Sequence, residues 1–166
     1  MNVIKEQTSL YFYKSIDILH VMKLLSSVRF IRTNAEFWYK IEDLLLRMKR
    51  DFKLHQIVSI AELYSEMGRG SQIFWGEIED YLLINSSELK SSKDHVLIMR
   101  VIQAFHRVGR TNETFWKVFS QLFEDCQGKY TFDERLRLLC MFADHAHSMS
   151  LHLYKDFEQE FLPKPQ

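Results

Sequence analysis

Apolar residues along the chain recur at the three- and four-residue intervals of a single helix face, and the same arrangement returns four times. Each return is anchored by an aromatic or apolar pair: Phe37-Trp38, Phe74-Trp75, Phe115-Trp116 and Leu153-Tyr154. Successive anchors are 37, 41 and 38 residues apart. Three positions beyond the second member of each pair stand Ile41, Ile78, Phe119 and Phe157, and seven beyond stand Leu45, Leu82, Phe123 and Phe161, which makes one apolar helical stripe per repeat. Four positions before it stand Asn34, Ser71, Asn112 and Ser150, side chains suited to bond a free amide at a helix start. A helix is therefore predicted to open at each of these four residues.

A second amphipathic stretch precedes each cap, roughly at 16–30, 57–67, 96–108 and 136–146. It leads into the turns Arg32-Thr33-Asn34, Arg69-Gly70-Ser71 and Arg110-Thr111-Asn112, and Gly68 and Gly109 sit where a helix ends in the left-handed conformation. The first repeat has Ile31 in place of that glycine, and the last reads His147-Ser148-Met149-Ser150, as terminal repeats often depart from the pattern. Polar linkers are expected at 49–53, 85–94 and 127–131. Paired helices that cannot bury their stripes alone stack on their neighbours. The expected fold is thus all-α, a short α-solenoid of about four antiparallel helix pairs, about eight helices, in one domain over 1–166. Its repeats run at roughly 16–54, 55–93, 94–131 and 132–162, with a short tail at 163–166.

Composition supports a helical reading. Hydrophobic residues make up 46% of the 166 positions and aromatics 14%, enough for a self-sufficient core, while five Gly and two Pro are too few for the frequent turns of a sandwich or barrel. The 22 basic and 22 acidic residues cancel, so no overall field draws the chain to nucleic acid. No apolar run reaches the 18 or more residues of a membrane span, and residues 1–7 lack the character of a signal or transit peptide, so any import signal is expected to be weak or already removed. Two cysteines, Cys126 and Cys140, make neither a disulfide framework nor a four-cysteine metal site.

Candidate chemistry is sparse. Asp144-His145-Ala146-His147 is the densest titratable cluster, but His residues two apart on a helix point to different sides, and His147 and His152 straddle a predicted turn, so polar groups at a helix end are expected rather than zinc. Cys140 falls near Leu136, Leu139 and Phe142 and is expected to be a small buried hydrophobe. Gly68-Arg69-Gly70-Ser71 lacks the strand and the Lys-Ser/Thr of a phosphate loop. Among the acidic residues Glu42, Asp43, Glu79, Asp80, Glu124 and Asp125, Glu42 and Glu79 each follow a Trp by four, which suits a solvated face or ion pairs between adjacent repeats. No catalytic residue, metal or cofactor is expected.

Basic residues offer a candidate RNA surface. Arg32, Arg69 and Arg110 share one place in successive turns, so stacking would line up their guanidinium groups about 10 Å apart, as a ladder along phosphates or as caps on the helices they follow. Arg47, Lys49, Arg50 and Lys53 interleave with Met48 and Phe52 in a second patch, either an RNA contact or a solvated linker. Trp38, Trp75, Trp116 and Tyr154, with caps Asn34, Ser71, Asn112 and Ser150, are expected to be structural anchors rather than base-stacking platforms, because the anchors lie in the apolar column.

The pattern of apolar helix, Gly-Arg-x-Ser/Asn turn and helix opening with Phe-Trp resembles the heptatricopeptide and octotricopeptide repeat families, relatives of the tetratricopeptide and pentatricopeptide repeats. It is clearest over Ile60 to Leu83 and Val101 to Phe123 and extends over residues 16–162. The 34-residue tetratricopeptide unit itself fits less well. The resemblance implies an α-solenoid working in mitochondria or chloroplasts, with the mitochondrion the expected location. The expected function is a non-catalytic interaction or scaffold subunit of a large mitochondrial assembly, namely the mitochondrial ribosome or another RNA-containing complex, with neighbouring proteins and organellar RNA as partners. A protein-only accessory subunit of a respiratory-chain or ATP synthase complex is the alternative, and a free-standing protein–protein adaptor the second. No membrane span or small-molecule substrate is expected.

Overall fold

The computed structural model describes residues 15–110, 112–145 and 155. All regular structure among them is helical. The order is α1 (Ser15–Ser27), α2 (Arg29–Thr33), α3 (Ala35–Arg47), α4 (Leu54–Glu66), α5 (Gln72–Ile84), α6 (Ser86–Ser92), α7 (His95–Arg107), α8 (Glu113–Asp125) and α9 (Phe132–His145), with single 3₁₀ turns at Lys49–Asp51 and Gln127–Lys129. The chain forms two compact bodies, Met1–Ile78 and Glu79–Gln166, divided within α5. Ser150, Tyr154, Phe157 and Phe161 of the fourth repeat, and Thr111, lie outside the described residues.

The three helices that carry tryptophan, α3, α5 and α8, are each 13 residues long and each begin one residue after the expected cap. Their starts follow from local chemistry. Asn34 accepts from the Phe37 amide at 3.0 Å, Ser71 Oγ from the Phe74 amide at 3.1 Å, and Asn112 from the Thr114 and Phe115 amides at 3.0 and 3.4 Å. The helix ends are equally local. Gly68 and Gly109 take φ of +62° and +67°, and the residues after them close the turn, Arg69 N–H donating to Tyr64 O at 2.9 Å and Arg110 N–H to Phe105 O at 3.2 Å.

In the first body, α1 packs on α4 and α2, and the core holds Met22, Trp38, Ile57, Ile60, Tyr64 and Phe74. In the second, α7, α8 and α9 pack on one another around Phe105, Phe115, Phe119, Phe123, Leu138 and Phe142. Tyr64 stacks on Phe74 in one body and Phe105 on Phe115 in the other, with ring centroids 4.4 and 4.1 Å apart. These residues hold equivalent places in repeats two and three, so one aromatic contact is built twice.

Three sequence expectations need correction. The helix expected over 16–30 is broken at Val28, whose backbone is extended (φ −84°, ψ 112°); without a glycine at Ile31, the chain changes direction there and adds the short helix α2. The stretch 85–94 is not a plain linker but carries α6, which packs on α8, buries Leu89 completely and ends at Lys93 in the left-handed conformation (φ 48°). Cys140 is exposed and Leu136 is 41% exposed, because α9 turns Leu138, Leu139 and Phe142 inward and leaves positions 136 and 140 together on its outer side. The linkers at 49–53 and 127–131 stand as expected in position, but each carries a 3₁₀ turn followed by a buried aromatic, Phe52 or Tyr130.

Candidate functional site

The turn before each tryptophan helix concentrates the polar chemistry of the repeat. Every indole N–H donates to a carbonyl of that turn: Trp38 to Ile31 at 2.9 Å, Trp75 to Arg69 at 3.0 Å and Trp116 to Arg110 at 2.7 Å. The rings are 1%, 4% and 2% exposed, so they are core groups with one satisfied polar atom each. The first bond reaches seven residues back rather than six because α2 occupies its turn. Gly70 (φ +105°) makes room for this arrangement: a Cβ there would lie 2.4 Å from the Trp75 indole nitrogen. Gly70→Ala is expected to destabilise the chain by about 2 kcal/mol, combining left-handed strain with displacement of the ring, as read by equilibrium urea unfolding.

Glu42 and Glu79 each reach the turn that opens the next repeat. Within the first body, Glu42 accepts from the Ser71 amide at 3.1 Å and from the Ser71 hydroxyl, while that hydroxyl oxygen also caps α5. Within the second, Glu79 accepts from Arg110 Nε at 3.2 Å, from Arg110 Nη2 at 3.1 Å and from the Asn112 side-chain amide. Both glutamates are buried, at 6% and 3% exposure. Of the two readings open from sequence, a solvated face is excluded for both by their burial, while the ion pair between adjacent repeats holds for Glu79 and is replaced at Glu42 by hydrogen bonds to an uncharged serine. The equivalent residue of the third repeat is Ser120, also buried, whose hydroxyl donates to Lys117 O at 2.9 Å within its own helix. The sequence signal was available: a carboxylate four residues after Trp38 and after Trp75, and a donor-bearing cap in the repeat that follows each.

The turn arginines share a sequence position but not a task. Arg32 Nη2 donates to Glu66 O at 3.4 Å, at the end of α4, and Arg69 Nη2 donates to Arg32 O at 3.2 Å and Thr33 O at 3.1 Å, at the end of α2. Both cap carbonyls across a repeat junction rather than those of their own helix. Arg110 instead neutralises buried Glu79. In the second basic patch Arg47 pairs with Asp43 and Lys49 with Glu77, while Arg50 and Lys53 are exposed. Lys53 holds the start of α4 through its amide, which donates to Gln56 Oε1 at 2.8 Å. The apolar members of that patch, Met48 and Phe52, are buried.

The remaining titratable groups divide by burial. Tyr64 and Tyr130 are pushed above the ordinary phenol range chiefly by burial, and their hydroxyls donate to Trp38 O at 3.2 Å and His95 O at 3.0 Å, so both act as neutral donors. Glu134 closes a capping box with Thr131, accepting from its amide at 2.8 Å and hydroxyl at 2.9 Å, and these bonds hold its carboxyl below the usual range. Among the described residues no group of three or more His, Cys, Asp or Glu is placed to hold a metal ion, and no helix is long and apolar enough to cross a membrane. His147 and His152 lie outside the described residues, whereas His145 meets His106 across the second body. None of the protein-family models, curated proteins and solved structures compared with the chain matches it.

Proposed function

We propose that the chain is a non-catalytic helical-repeat scaffold, a short α-solenoid of antiparallel helix pairs that serves as an interaction subunit of a large mitochondrial assembly. The observation that carries this reading is the use of the repeat's distinctive side chains: indoles, caps and glutamates are all bonded to other parts of the chain, which suits a fixed frame. Large apolar side chains left on the surface suit docked neighbours, with Leu24 70% and Phe30 79% exposed in the first body and Ile84 78% in the second. The mitochondrial setting, and the ribosome or another RNA-containing complex within it, rests on the resemblance to heptatricopeptide and octotricopeptide repeats.

RNA contact in this reading falls to Arg32 and Arg69, whose guanidinium groups donate to neutral carbonyls, and to exposed Arg50 and Lys53. Arg110, Arg47 and Lys49 support it less, since each faces a carboxylate. That pairing favours the second reading, a protein-only accessory subunit of a respiratory-chain or ATP synthase complex. Gradient sedimentation of mitochondrial extracts with native RNA cross-linking separates the two. Co-sedimentation with ribosomal particles and cross-links at Arg32 or Arg69 are expected from the first reading. There, Arg69→Ala should weaken RNA affinity and reduce its log–log salt slope by about one. Co-sedimentation with a membrane-complex subunit and no cross-link would establish the second, and migration as a free monomer would sink both.

A further inference from the structure

His106 and His145 form a contact that the repeat pattern does not require. His106 holds the place of Ser65 in the preceding repeat, where the hydroxyl donates to Glu62 O at 2.7 Å within its own helix. In the second body, His106 Nδ1 on α7 lies 3.1 Å from His145 Nε2 in the last turn of α9, with the ring planes at 87°. The His145 ring lies flat against Trp116 of α8, centroids 4.1 Å apart and planes within 6°. Asp144 places a carboxylate oxygen 3.9 Å from the other nitrogen of His106. The contact thus ties one end of α9 to both neighbouring helices, one turn beyond Phe142, whose ring also meets Trp116.

Two imidazole nitrogens at this distance share one proton: one donates and the other accepts. One added proton makes one ring a cation that still donates to the other, whereas a second added proton leaves no acceptor at the contact and sets two positive charges against each other. We propose that His106 and His145 are a pH-sensitive fastener, holding the C-terminal end of α9 on α7 and α8 while the pair carries at most one positive charge and releasing it when both rings are charged. Release uncovers the face of Trp116, so the second body presents an aromatic surface in acid that it covers at neutral pH.

The surroundings of the pair set the direction of the response. From α7, His106 pushes the pKa of His145 down; on α9, Asp144 pushes it up; α8 contributes the uncharged Trp116 ring; and burial, the largest cause, pushes it down. The net value in the folded chain lies below the ordinary 6.5. A detached His145 therefore takes up its proton first as the solution is acidified. The stabilising contribution of the contact is complete above about pH 6.5 and is lost as pH falls from there through the depressed folded value.

The imidazole resonances of the full chain, followed by NMR from pH 8 to 5, test this directly. His145 is expected to titrate below 6.5, and in His106→Asn its midpoint should rise by roughly half a unit or more. In the variant with His106→Asn and His145→Gln, the two amides keep one hydrogen bond but do not titrate. Its urea midpoint should lose the extra fall that the wild type shows below about pH 6.5. A wild-type His145 midpoint at or above 6.5, or an unchanged pH profile in the double variant, overturns the proposal. The wild-type titration decides the matter even if the double variant fails to fold.

Discussion

Trp75→Ala should destabilise the chain by about 3–5 kcal/mol in equilibrium unfolding, the usual range for deleting a buried aromatic. The ring is 4% exposed and meets Phe74 edge-on at 5.4 Å, so its removal leaves a void against a stacked neighbour. It also orphans the Arg69 carbonyl, which accepts from the indole at 3.0 Å, inside the turn that positions Ser71 for Glu42. Trp75→Phe separates the two effects. Retaining an aromatic ring while deleting the N–H should cost about 1–3 kcal/mol, the scale for a buried acceptor left without its donor. A loss below about 0.5 kcal/mol in Trp75→Ala would mean that the ring is at the surface.

Arg110→Ala is expected to cost about 3 kcal/mol, because it strands a charge rather than merely deleting a contact. The Glu79 side chain is 4% exposed, and after the substitution the Asn112 amide alone among the described residues would remain bonded to its carboxylate. The Arg110 side chain is 26% exposed, so the opposite change, Glu79→Ala, leaves a cation that water can partly reach and should cost less. A double-mutant cycle on the pair should return a coupling above about 1.5 kcal/mol, clearly larger than that of an exposed pair such as Glu36 with Lys40. A coupling near that of Glu36 and Lys40 would show that the Glu79 site is wet.

The parts of the fold legible from sequence are those governed by neighbours a few residues away. Asn34, Ser71 and Asn112 cap helices through amides two or three positions on, and Gly68 and Gly109 end helices through their own backbone freedom. The tryptophan column was legible because 3.6-residue periodicity is itself local. Helix α6 was not, since Leu89 is its single buried residue and one apolar position among serines has no periodicity to detect. The break at Val28 depends on a missing glycine, an absence that allows several outcomes. In the candidate site, the positions of the glutamates and arginines could be read but not their partners. Glu42 finds Ser71 29 residues away and Arg110 finds Glu79 31 away, and only packing decides such meetings. The same holds for His106 and His145, 39 residues apart.

The two glutamate contacts differ in what they accept, and that difference makes each joint a lock cut for its own key. Glu42 takes an amide and a hydroxyl from Ser71, whereas Glu79 takes a guanidinium and a carboxamide from Arg110 and Asn112. Modules of this chain are therefore not interchangeable bricks. A transplanted or duplicated copy would seat properly only if the turn that follows it travelled along, so the workable cut points for rebuilding the array fall after each cap and not in the loops between helix pairs.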